Sequence, residues 1–142
     1  MLKHIIITIF TFGITVFLFS GCTKVEDNLQ GTWKLETMMA EENYEVLWHF
    51  RSDKSLVRVC NQFNDTSENA TRVDTAYYSI EDKLTYTDIK IIGSQNLACL
   101  AYVNGFFRVD KITENLLVIT RYKMEDETTC GAYFRREFTR VD

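Results

Sequence analysis

From Gly31 onward the chain alternates between two sets of side chains with a period of two, and almost nowhere repeats at a helical spacing. Trp33 and Leu35 alternate with Thr32, Lys34 and Glu36; Val46, Trp48 and Phe50 alternate with Leu47, His49 and Arg51. In an extended backbone successive side chains point to opposite faces, so such a segment can bury one face only as part of a sheet. The β-branched and aromatic residues that dominate 56–60, 72–80, 84–91, 98–103, 106–112, 116–122 and 132–141 carry the same signal. Short polar breaks separate them: Ser52-Asp53-Lys54, Glu81-Asp82-Lys83, Gly93-Ser94-Gln95-Asn96 and Thr113-Glu114-Asn115. Asn104-Gly105 reads as a two-residue hairpin or as a bulge within one longer strand. The polar run 61–71 is the longest expected loop, and a turn over 25–30 is the only helix candidate.

About eight strands joined by short reversals imply an up-and-down antiparallel meander. In so short a chain, closure into an eight-stranded barrel is the expected outcome, because it leaves no unpaired edge. The fold class is therefore all-β. Threading the strands in alternation puts Gly31 at one end. The longer connections, near 40–44, 61–71, 92–97 and 123–129, gather at the other, which is expected to be the mouth.

Ahead of this region Lys3 and His4 precede an apolar stretch over 5–19, followed by Ser20-Gly21-Cys22. A positive end, an apolar middle and small residues at the cut make a secretory signal. The stretch is shorter than the roughly twenty residues needed to span a bilayer, and Gly13, Thr8, Thr11 and Thr15 dilute it. Ending on Ser-Gly-Cys, it resembles a bacterial lipoprotein signal. That resemblance implies diacylglycerol, with palmitate-type chains, on the Cys22 thiol and cleavage just before it. The expected organisation is a signal over 1–21, a lipidated polar tether over 22–30 and one barrel domain over 31–142. Thr23 in place of aspartate, with Glu26 and Asp27 soon after, favours the outer membrane, facing the periplasm or the cell surface.

The net charge of −4 argues against nucleic acid or anionic headgroups as partners, because both need a basic stripe. Lipid on Cys22 would leave Cys60, Cys99 and Cys130 in an oxidising compartment, room for one disulfide and one thiol. Three pairings are open. Cys99–Cys130 is favoured, with Cys60 free, since both flank C-terminal strands only one strand apart. With one histidine after Cys22 and no Cys-x-x-Cys, no metal or other cofactor is expected.

The segment Leu29-Gln30-Gly31-Thr32-Trp33-Lys34-Leu35 resembles the opening of lipocalin-like domains, whose core is Gly-x-Trp. Trp48-His49-Phe50, Tyr78-Ser79-Ile80, 112–117 and the closing Phe138-Thr139-Arg140-Val141 extend the likeness along the chain. These domains are small eight-stranded barrels common among lipoproteins of Bacteroidetes-type bacteria. The resemblance implies that Trp33 plugs the closed end beside Gly31, with Arg140 lying across its ring, a structural role.

No nucleophile elbow, phosphate loop or zinc helix occurs, and the strand phase that turns Trp48 and Phe50 inward turns His49 outward. The chain is expected not to be an enzyme. Trp48, Phe50, Tyr78, Tyr86, Phe107 and Phe134 are the expected lining of a pocket toward the mouth. Arg136, in phase with Phe134 and Phe138, puts a cation in that lumen, with Arg121 expected near it. The expected function is binding of a small, partly apolar, hydrophobic or anionic ligand at the mouth. The alternative is a non-catalytic interaction, accessory or inhibitor module acting through its loops, around Phe63 and Tyr102.

Overall fold

The period-two segments become strands that pair in chain order until the last returns to the first. The computed structural model describes residues 20–36, 44–63, 70–95 and 102–141, without the side chains of 20–24 and 133. A helix, α1 (Ser20–Leu29), leads into β1 (Gly31–Glu36), β2 (Tyr44–Phe50), β3 (Ser55–Gln62) and β4 (Ala70–Asp82). Then follow β5 (Thr87–Ile92), β6 (Gly105–Ile112), β7 (Leu116–Lys123) and β8 (Thr129–Arg140). All pairings are antiparallel, and β1 joins β8 to close the barrel, so every strand has a neighbour on each side.

One end is tied by tight turns. Asp53 accepts from the amide and hydroxyl of Ser55 at 2.9 and 2.6 Å, holding the β2–β3 reversal, with Lys54 at φ +66°. The Lys83 amide donates to the Tyr86 carbonyl, and the Thr113 amide to that of Leu116, closing the other two. Helix α1 sits at this same end. Its Leu29 is fully buried and accepts a 2.8 Å hydrogen bond from the Trp33 indole, while Glu26 pairs with Lys54. The residues expected as a polar tether are thus helical and docked. Val25 and Leu29, four apart, turn the same way on a helix, and Leu29 closes the floor.

Above that floor the core is a stack of inward residues. Trp48 packs on Phe138 with ring centroids 4.9 Å apart, and Phe50 meets the edge of Tyr78 at 5.2 Å. Leu56, Ala76, Ile89, Ile91, Leu117 and Ile119 fill the space between. Each aromatic pair of this kind adds about 0.5–1.5 kcal/mol beyond its buried area.

Several boundaries differ from the sequence reading. Strand β5 starts at Thr87 and leaves Leu84 fully exposed in the turn. The polar run at 61–71 is strand at both ends, because outward Asn61 and Thr71 pair across β3 and β4 and bond at 3.1 Å. Asn104-Gly105 is not a hairpin. Gly105 opens β6 at φ +135°, where a Cβ would strike the Lys123 carbonyl. Residues 1–19, 98–101 and Cys99 lie outside the described residues.

Candidate functional site

Alternation along each strand decides which side chains enter the half of the lumen away from α1. On β2 it is Trp48, on β3 Arg58, on β4 Asp74, and register sets these three side by side. Strand β6 supplies Phe107. On β7 and β8 the inward pairs are Ile119 with Arg136 and Arg121 with Phe134. Arg121 and Arg136 are therefore diagonal neighbours on one face, within reach of each other's long side chains.

Arg58 and Asp74 are both buried and fully engaged. Arg58 Nε donates to Asp74 Oδ2 at 3.0 Å, and Nη2 donates to Asp74 and, at 2.6 Å, to the Ser94 hydroxyl. Ser94 Oγ donates to Asp74 Oδ2 at 2.9 Å, and the Gln95 amide to Oδ1 at 3.0 Å. Burial alone would raise the Asp74 carboxyl. The Gln95 amide, Arg58 and Ser94 outweigh it and hold the group below the usual aspartate range. This network pins the segment after β5 against β3, and Asn104 secures it further by accepting from the Ser94 amide at 2.8 Å.

The other two guanidiniums are less well served. Arg121 is buried; its Nη1 donates to the Tyr102 carbonyl at 2.9 Å and its Nη2 meets Met124 Sδ at 3.3 Å, while its Nε is buried with no partner. Arg136 lies over Trp48 and Phe107, with Cζ 5.6 and 5.5 Å from the ring centroids. Its Nη1 is buried and also without a partner. Burial first, then the nearby charges of Arg121 and Arg58, push Arg136 down to about 10. In this half of the lumen, among the described residues, three guanidiniums face one carboxylate, Asp74. Tyr102 and Met124, which both touch Arg121, also line an open groove at the rim with Glu125, Asp126 and Thr128.

The structure sorts the expected lining residues into three groups. Trp48 and Phe107 form a floor beneath Arg136. Phe134, opposite Arg121 with Cζ 5.5 Å from its ring, is 51 % exposed at the mouth end of β8. Phe50 and Tyr78 lie deeper, toward the closed end, where the Tyr78 hydroxyl bonds the Arg51 carbonyl at 2.7 Å and burial raises it to about 12. Tyr86 is outside the barrel altogether. It belongs to the β4–β5 turn and stacks on Arg108, Cζ 4.2 Å from its centroid, because the strand begins three residues later than Leu84.

At the closed end, Arg140 pairs with Trp33 in the β1–β8 register and lies 4.3 Å over its ring. His49 faces outward, its Nδ1 3.0 Å from the Thr32 hydroxyl. The cysteine pairing requires correction. Cys60 is in a disulfide, and Cys130 is a free, buried thiol, so the Cys99–Cys130 bond does not form. Counting strands along the chain does not set which thiols meet, and Cys60, fully buried on the inward face of β3, is the one that is bonded.

Arg58 and Asp74 were not singled out in the sequence, although each stands in the apolar phase of its strand, between Leu56 and Cys60 and beside Ala76. A charge at an inward position was the available signal. No protein-family model matches the chain, and no curated protein or solved structure is significantly similar to it.

Proposed function

We propose that this chain is an extracytoplasmic lipoprotein of the lipocalin-like type, held at the bacterial outer membrane by acyl chains on Cys22, that binds a small, partly apolar molecule at the barrel mouth. It acts by binding and not by catalysis. The observation that carries the reading is Phe134. It occupies a lumen-facing position, yet half its surface is exposed, whereas Phe138, on the same face four residues further along, is completely buried. An apolar ring left open above an aromatic floor is the arrangement that receives a partly apolar guest. Among the described residues no helix is long and apolar enough to cross a membrane, and an acyl anchor requires none.

A second reading is an interaction module working through its rim. Phe63 and Tyr102, at 45 % and 36 % exposed, lie beside the loops and support it. Mass spectrometry of protein purified gently from its host tests both. The expected result is a mass carrying lipid at Cys22 together with a small molecule released on denaturation. A chain that carries lipid, retains nothing and shows no change in tryptophan fluorescence with apolar probes overturns ligand binding in favour of the rim.

A further inference from the structure

We propose that the guest carries an oxyanion head group, a carboxylate or phosphate, seated between Arg121 and Arg136 with its apolar body toward Phe134. This rests on the ligand-binding reading above and names the chemistry of that site. Three observations converge on it. First, Arg121 Nε and Arg136 Nη1 are both buried and both lack an acceptor among the described residues. A buried donor on a charged group left unmet is costly, so something must supply oxygen there. Second, among the described residues the charges do not balance: the one lumen carboxylate of this half, Asp74, already accepts from Arg58, Ser94 and Gln95. Third, the surroundings favour a guanidinium as a binding group. Trp48 and Phe107 support Arg136, and the Tyr102 carbonyl and Met124 steady Arg121.

Guanidinium is the group suited to such a task, because its planar fork meets a carboxylate or phosphate with two parallel hydrogen bonds. From diagonal positions on neighbouring strands, Arg121 Nε and Arg136 Nη1 can donate to one head group. Tyr102 and Met124, which hold Arg121, also line a groove at the rim, together with Glu125, Asp126 and Thr128. Ordered water is the competing acceptor for these two N–H groups, and experiment separates the two cases.

The test uses the purified full chain titrated with octanoate, octyl phosphate and octanol, followed by calorimetry and by tryptophan fluorescence. Both acids are expected to bind at least tenfold more tightly than octanol, and whichever binds better names the head group. In Arg136→Met the acids lose their advantage over octanol measured on the same variant; Arg136→Lys, which keeps the charge and loses the fork, lies between. Octanol binding as well as the acids to the unaltered protein overturns the head-group assignment and leaves the apolar site standing. Failure of all three to bind overturns the site itself. Because the comparison among probes is made on the unaltered chain, it decides the matter even where a variant does not fold.

Discussion

Strand β8 holds two arginines four residues apart on the same face, each lying over a tryptophan, and they have opposite fates. Arg140, over Trp33, donates to three carbonyls: Glu114 at 2.6 Å, Gln30 at 2.8 Å and Asn28 at 2.5 Å. Arg136, over Trp48, finds no carboxylate, hydroxyl or carbonyl among the described residues and keeps a buried nitrogen unmet. The first ties α1, the β6–β7 turn and the last strand together, so it strengthens the fold. The second is a charge kept in an apolar lumen without an internal partner. The fold alone gives no reason for it, and that contrast is what the proposed site rests on.

Substitutions can break the contrast in order of size. Asp74→Ala should have the largest effect, about 3–5 kcal/mol by urea denaturation, because it takes the carboxylate counter-charge from the buried Arg58. Equal stability to the unaltered protein would show that the Arg58 network is not closed. Arg140→Met is expected to cost about 2–3 kcal/mol through its three charge-assisted hydrogen bonds. Arg136→Met should show the opposite sign, a stability unchanged or raised by up to about 1 kcal/mol, since an unpaired buried charge is removed. A loss matching that of Arg140→Met would erase the distinction between the two ends.

Acid sharpens the same comparison. The folded pKa of Asp74 lies below its unfolded value of about 3.9, so its contribution is present above that pH and lost as pH falls through the folded value. Stability measured down from pH 5 should drop below about pH 4, with that part of the drop absent in Asp74→Asn. The smallest effect concerns the cysteines. Non-reducing peptide mapping should show Cys60 linked to Cys99, and Cys130 should react with alkylating reagents only after unfolding. A Cys99–Cys130 peptide would overturn the assignment.

Strand phase was legible because it is a local property. It placed Arg136 inward and His49 outward without any knowledge of neighbours, whereas the pairing of Trp33 with Arg140 was implied only by the Gly-x-Trp resemblance. What phase could not supply was register. Trp48, Arg58 and Asp74 stand in line only because β2, β3 and β4 pair at particular offsets, and no residue in those strands announces the offset. The cysteine pairing failed for a related reason, since a disulfide depends on which side chains the closed barrel brings together and not on the number of strands between them. Tyr86 was misplaced because Leu84, an apolar residue in a turn, imitates a strand start. Helix α1 was underestimated because it is polar on most faces and held by tertiary contacts, not by its own pattern.

The docking of α1 has a mechanical consequence. From Leu29 back to Cys22 the chain rises about 10 Å as helix, at roughly 1.5 Å per residue. Were acyl chains attached at Cys22, as proposed above, the barrel would stand on a short stiff post instead of swinging on a leash. The end opposite α1 would then be kept from folding down to the bilayer, and a guest would have to arrive from the aqueous side.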